Sequence, residues 1–377
     1  MEAVYFILLS TVWPIRAIVE RFQSKHIPEK RTPLRPDSVC KKSVLKNTKN
    51  GLLWASSQNY TDMWTRDTFF ACLGNPALKK RLARQIVKYQ REDGLIPLYI
   101  GQGDAFAKLF CAAVPEGDAH AHYTDAKTGD EPTDSCFQFI IMAYLDYPNE
   151  SKLAWTYMQK YIKDGLIWEE GLGTWQDTIK HKGHVSYTNL LYYKATLLLY
   201  PKRAAYIKKR IIATLWNGQY LVSSTTNNSF GQVDNALAVL YDVAPSTESI
   251  FKIHTTHFSS PTCPPNLKIT DDKASVAFGF FDIYLPCHPI GNADYHNKWS
   301  WSWVNLLFMK AKLKRGKDVD LSYYSALIQK YGTLYETYDE NGPIKRLMYS
   351  SQPNFSESCG LFVDVYNHTN TPNTFPV

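Results

Sequence analysis

Two kinds of apolar run alternate along the chain. Runs of the first kind are apolar on almost every side and begin just after a polar, loop-like segment. They are DTFFACLG from Asp67, DSCFQFIIMAYL from Asp134, YTNLLYYKATLLLY from Tyr187, QVDNALAVLYDV from Gln232, WSWVNLLFMKAKL from Trp301 and SESCGLFVDVY from Ser356. Runs of the second kind follow them and place apolar residues at three-to-four spacing with charges between: NPALKKRLARQIVKYQ, SKLAWTYMQKYIK, KRAAYIKKRIIATLW, STESIFKIHTT and DLSYYSALIQKYG. A helix that is apolar all round is buried, and an amphipathic one faces water. The alternation therefore predicts an all-α fold, an (α/α)6 toroid of six inner and six outer helices, with five outer members visible in this pattern. The tail from Tyr366, YNHTNTPNTFPV, is too short to supply the sixth. The apolar segment from about Ala3 to Phe22 is expected to be that helix and to close the ring, making residues 1–377 one domain.

The longest connections precede the inner runs, at residues 92–133, 164–186, 217–231, 257–300 and 333–355. In such a ring they emerge together on one face beside the inner-helix N-termini, where loops on a rigid scaffold collect function. Strand-like pieces such as IKRLMYS read as decoration of these loops. Several inner runs open with Asp or Ser, residues suited to an N-cap.

Composition adds one unusual feature. The 377 residues include 10 Trp, 25 Tyr and 18 Phe, and Trp64, Trp168, Trp175, Trp299, Trp301 and Trp303 fall in three short segments beside polar residues. The net charge of +7 is concentrated in Lys79–Arg84, Lys202–Arg210 and Lys310–Lys317, each on or beside an amphipathic helix. These are solvated helix faces and lack the interleaved aromatics of a nucleic-acid groove, so no nucleic-acid partner is expected. The seven Cys are scattered with no C-x-x-C pair, which excludes zinc-finger spacing and gives no disulfide framework. Cys72, Cys136 and Cys359 lie inside apolar runs as core residues. His120, His122, His181, His184 and His288 are loop histidines without metal-ligand spacing, so no metal site is expected from them. Ala3 to Trp13 is too short to span a bilayer. Reduced thiols favour a cytosol-like compartment, while Asn-x-Ser/Thr sequons at Asn59, Asn149, Asn227, Asn354 and Asn367 keep a secretory route open. Oligomeric state is not encoded in any pattern found.

The chemistry-bearing residues are two carboxylates in aromatic surroundings, Asp177 in GLGTWQDTIKHKG and Glu336 in YGTLYETYDENG. An isolated acid of this kind often only closes a turn. Beside rings it also suits sugar chemistry, because the CH faces of a sugar stack on aromatics and a ring-packed carboxyl has its pKa raised. Glu336 competes for such a role with Asp339 and Glu340. Asp67 and Asp134 read equally as N-caps and as ligand contacts. Asp234 and Asn235 open an inner run near the same face, and Glu169-Glu170 reads as a solvated loop.

Taken in order, NYTDMWTRDTFF, REDGLIPLYIG, EPTDSCFQF, IWEEGLGTWQD, YHNKWSWSW and YETYDENG each precede or open an inner run. This series resembles the six-hairpin glycosidases around amylo-α-1,6-glucosidase, the glucosidase part of glycogen debranching enzymes. Neutral invertases and processing α-glucosidases look similar. The resemblance covers roughly Trp54 to Tyr366. It implies an inverting, exo-type glycoside hydrolase acting on an α-linked glucoside or related oligosaccharide, by a mechanism that needs no cofactor. Asp177 would be the general acid and Glu336 the general base, with the two carboxyls about 6.5–9.5 Å apart to admit a water. Arg66, Asp67 and Asp134 would hold sugar hydroxyls, with His296 and Asn297 as further contacts and Trp64, Trp175, Trp301 and Trp303 as walls.

The chain departs from the family pattern at Tyr187, where members often carry Glu, and at Lys298-Trp299 and Leu98. These departures put the sugar in question and give the alternative of a carbohydrate-binding protein that has lost turnover.

Overall fold

A computed structural model describes residues 35–58, 60–101, 119–125, 129–176, 179–257, 267–268, 295–296, 299–339, 342–346 and 349–370. Among these residues the helices are α1 (Pro36–Asn47), α2 (Thr65–Ala71), α3 (Pro76–Val87), α4 (Ser135–Ala143), α5 (Pro148–Met158) and α6 (Ser186–Leu199). They continue with α7 (Pro201–Leu215), α8 (Gln232–Leu240), α9 (Thr247–His257), α10 (Ser302–Lys314), α11 (Ser322–Tyr331) and α12 (Ser356–Asn370).

The even-numbered helices close a ring in chain order: α2 packs on α4, α4 on α6, α6 on α8, α8 on α10, α10 on α12, and α12 returns to α2. The odd-numbered helices lie around it, α3 on α2 and α4, α5 on α4, α7 on α6, α9 on α8, and α1 on α12 and α11. This is the (α/α)6 toroid that the alternation of run types predicts. Every residue of α4 is buried, whereas α7 buries only Ala204, Ile207, Ile211 and Leu215, one stripe at helical spacing.

The ring closes through α1, whose sequence PDSVCKKSVLKN carries only four apolar side chains besides its opening proline. Two of them, Cys40 and Val44, are buried, and polar contacts supply the rest of the joint. Asn47 donates to the Asn354 carbonyl at 2.6 Å and to Ser356 Oγ at 2.7 Å, and Ser43 donates to Asn354 Oδ1 at 2.9 Å. The expected ring-closing segment, Ala3 to Phe22, lies outside the described residues.

At the junction of last and first inner helices, Gly360 lets α12 meet α2 backbone to backbone. A Cβ there would sit 2.1 Å from the Ala71 carbonyl oxygen. Cys72, Cys136 and Cys359 are buried core residues, as their positions in apolar runs suggest.

The connections carry short antiparallel pairings. Lys345–Arg346 pairs with Tyr349–Ser350, the decoration expected of IKRLMYS. Others tie neighbouring loops together. Met63–Trp64 pairs with Tyr99–Gly101, which pairs with His120–His122. Ser300–Trp301 pairs with Thr337–Asp339.

Three inner helices also clamp the chain that feeds them. Asn189 of α6 bonds both the N–H and the carbonyl of Ile167, Asn235 of α8 does the same to Leu221, and Asn305 of α10 donates to Ser300 Oγ and the Trp301 carbonyl. The amide of Asn235 is therefore engaged in holding its loop, and positioning backbone is its evident role.

Candidate active site

Glu336 is 1% exposed. Its backbone N–H donates to the Gln352 carbonyl at 2.9 Å, which fixes the loop between α11 and α12 around it. One carboxylate oxygen accepts from the Gln352 N–H at 3.4 Å, and the other accepts a short hydrogen bond from the Tyr295 hydroxyl. Pairing of Trp301 with Thr337 brings the loop before α10 alongside this one.

The residue after Tyr295 faces another loop. The His296 ring stacks on Trp301 at 5.2 Å and meets Trp175 edge-on at 5.3 Å. The Gln176 side chain donates to the His296 carbonyl at 3.4 Å. Trp175 also packs edge-on against Trp301 at 6.1 Å and Trp303 at 5.0 Å. Trp303, 1% exposed, lies behind the others against Phe70 at 4.6 Å. Asp177 and Asn297 lie outside the described residues, as do Lys298 and His288. The chain on the N-terminal side of Asp177 is nevertheless held against the Tyr295–Trp303 segment, which is also the segment that contacts Glu336.

A second group of candidate residues comes from α2, the start of α4, and α6. Asp134 is fully buried at the N-terminus of α4, yet its side chain makes no capping bond. It accepts from the Tyr187 hydroxyl at 3.2 Å and lies 3.7 Å from Arg66 Nε. Burial pushes its pKa up, and Arg66 and Tyr187 offset part of that. Asp67 sits in the first turn of α2, whose N-cap residue is Trp64. Asp134 does not serve as a side-chain cap, because its carboxylate is directed to Arg66 and Tyr187. Trp64 stacks on Tyr99 at 4.6 Å, and Tyr99 stacks in turn on His122 at 4.3 Å, forming an aromatic flank beside Arg66.

Three further carboxyls occupy this face. Glu357, in the first turn of α12, is 4% exposed; burial first, then Asp67, Glu336 and Asp134, hold its pKa well above the usual range despite Arg66. Asp234, in the first turn of α8, is pushed up to about 8 by burial. Glu169 is 3% exposed and raised to about 8, again by burial first. The reading of Glu169-Glu170 as a solvated pair thus holds only for Glu170, which is exposed and pairs with Lys182 at 2.9 Å. Glu169 alternates to the inward face of the hairpin Glu169–Gly171/His181–Gly183. His181 on the same hairpin is buried, and its pKa falls to about 4 by desolvation.

Glu357 was not marked by any motif. The signal for it was a lone acid at the start of an otherwise apolar inner run, the placement that Asp67 and Asp234 also have. Among the described residues no group of three or more His, Cys, Asp or Glu is arranged to hold a metal ion, and no helix is long and apolar enough to cross a membrane.

No protein-family model matches the chain, and neither does any curated protein sequence. Solved structures do match. A glycosidase variant in complex with glucose superposes with a TM-score of 0.61 at 12% identity, over 89% of this chain and 96% of that one. A GH63 mannosylglycerate hydrolase from Thermus thermophilus in complex with glucose gives 0.56 at 11% identity, over 88% and 99%. A rhamnosidase from Klebsiella oxytoca with rhamnose bound gives 0.55 at 13% identity, over 90% and 66%. At these identities the likeness is one of fold.

Proposed function

We propose that the chain is a glycoside hydrolase that releases a terminal α-linked glucose or related sugar with inversion, using Asp177 as general acid and Glu336 as general base. One arrangement carries the reading. Tyr295 bonds Glu336, and the adjacent His296 packs on Trp175, two residues before Asp177. A base anchored by one end of an aromatic segment, with the stretch leading to the proposed acid packed on the same segment, supports the division of labour that inversion needs. The acid protonates the leaving glycosidic oxygen. The base takes a proton from water as that water attacks the anomeric carbon from the opposite face.

The remaining residues bind and orient. Arg66 and Asp67 hold hydroxyls of the terminal sugar by charge-assisted hydrogen bonds, and Asp134 joins them while anchored by Tyr187. Trp64, Trp175 and Trp301 offer ring faces and edges to the sugar, backed by Trp303, while His296 and Asn297 complete the wall. The fold is shared with glycosidases, two of which hold glucose, and this favours a sugar of that kind. No step in the scheme draws on a cofactor.

Hydrolysis of a panel of natural and aryl α-glycosides by the full chain tests the reading. Release of free sugar that disappears in both Asp177→Asn and Glu336→Gln supports it, and activity that survives both overturns it. A binding protein without turnover is the second reading. It is motivated by Tyr187, which replaces the acid common in the resembled families and directs its hydroxyl to Asp134. Sugar binding with no hydrolysis across the panel would favour it.

A further inference from the structure

We propose that Glu357 is a specificity-determining residue whose carboxyl takes a hydroxyl of the bound sugar beside the general base. The inference rests on the glycosidase reading of this site and names a contact that no motif in the chain assigns.

Its placement follows from helix packing. Gly360 seats α12 directly on the backbone of Ala71 in α2. One turn earlier on each helix, Glu357 and Asp67 lie in the first turns, and the electrostatic neighbours of Glu357 are Asp67, Arg66, Glu336 and Asp134. Those four come from α2, from the loop before α12 and from the start of α4, so the carboxyl faces the site from which substrate contacts are drawn.

The second observation is what Glu357 lacks. It is more than nine-tenths buried, yet among the described residues no side chain or backbone group makes a hydrogen bond to its carboxyl. The nearby bonds are made by others: Gln352 N–H goes to Glu336, and Ser356 Oγ goes to the Trp54 carbonyl. Leaving a buried carboxyl without a partner is costly, and a sugar hydroxyl would remove that cost on binding. A purely packing role would be served better by an apolar side chain at the start of an apolar helix.

The test is calorimetric binding of glucose and of its 2-, 3-, 4- and 6-deoxy analogues to the full chain and to Glu357→Ala and Glu357→Gln. The expected result is that Ala weakens glucose binding by about 10- to 100-fold, and that Gln, which keeps the hydrogen-bonding capacity, stays within about threefold of the wild type. One deoxy analogue should bind the wild type and Glu357→Ala alike, which identifies the hydroxyl. Unchanged glucose affinity in Glu357→Ala, with its cooperative thermal melt retained, overturns the proposal and leaves the glycosidase reading standing. A wild type that binds none of these sugars overturns both. Should Glu357→Ala not fold, Glu357→Asp, which withdraws the carboxyl by one methylene, carries the same comparison.

Discussion

The Tyr295 hydroxyl donates to a carboxylate oxygen of Glu336, tying the loop before α10 to the proposed general base. The bond fixes the carboxylate's orientation and leaves its other oxygen on the Gln352 N–H side. Tyr295→Phe keeps the ring, which packs at 4.9 Å against Trp301, and removes only the hydroxyl. The expected outcome is a kcat lower by about 10- to 100-fold with KM little changed, read by steady-state hydrolysis. An unchanged kcat would show that Glu336 needs no orientation by Tyr295.

The seam between α12 and α2 should tolerate no added atom. Gly360→Ala would place a methyl 2.1 Å from the Ala71 carbonyl oxygen, and backbone there can give only by moving one inner helix off the other. We expect a loss of about 1–3 kcal/mol in urea unfolding, together with weakened sugar binding, because the first turns of both helices carry proposed sugar contacts.

Ring closure through α1 makes a separate prediction. The Asn47 amide is buried and bonds both Asn354 and Ser356 across more than 300 residues of sequence. Asn47→Ala leaves those acceptors unmatched and should cost about 1–3 kcal/mol of stability by the same measurement. A neutral result would mean that α1 closes the ring by apolar contact alone.

Glu169 gives a pH dependence with a definite sign. Burial raises its carboxyl from 4.5 to about 8, with the Thr188 and Thr133 hydroxyls only partly offsetting it. Below about pH 4.5 both folded and unfolded chains hold the proton, so burial carries no ionisation cost. As pH rises toward 8 the unfolded chain ionises while the folded one stays neutral, and stability falls by about 1.4 kcal/mol per pH unit from this group. Glu169→Gln removes that slope. Its stability relative to the wild type should therefore increase steadily from pH 5 to pH 8. His181, depressed to about 4 by burial, acts in the opposite direction toward acid, but it is common to both proteins and cancels in the comparison.

The architecture was legible because buried and half-buried helices write different patterns. The inner runs starting at Asp134, Tyr187 and Gln232 begin within a residue of the starts of α4, α6 and α8. Helix α1 was not legible. Its joint to α12 draws on Asn and Ser hydrogen bonds to residues about 300 positions away, which leave no local periodicity. Among the proposed site residues, Glu336, Arg66 and Asp134 were marked in the sequence by loop position and aromatic neighbours. Glu169 and Glu357 could not be found by the ordinary rule that charged side chains face water, since the fold buries both. Asp134 was ambiguous between cap and ligand contact, and only its partners, Arg66 and Tyr187, separate the two.

The central claim is that Asp177 and Glu336 divide acid and base work. The most direct measurement compares hydrolysis of a natural α-glucoside with that of an aryl glucoside whose leaving group departs without protonation. Asp177→Asn should lose the natural substrate by about 100- to 10,000-fold yet keep most activity on the aryl one, while Glu336→Gln should lose both. Equal losses on both substrates in the two variants, or retention of the natural substrate by either, would contradict the account.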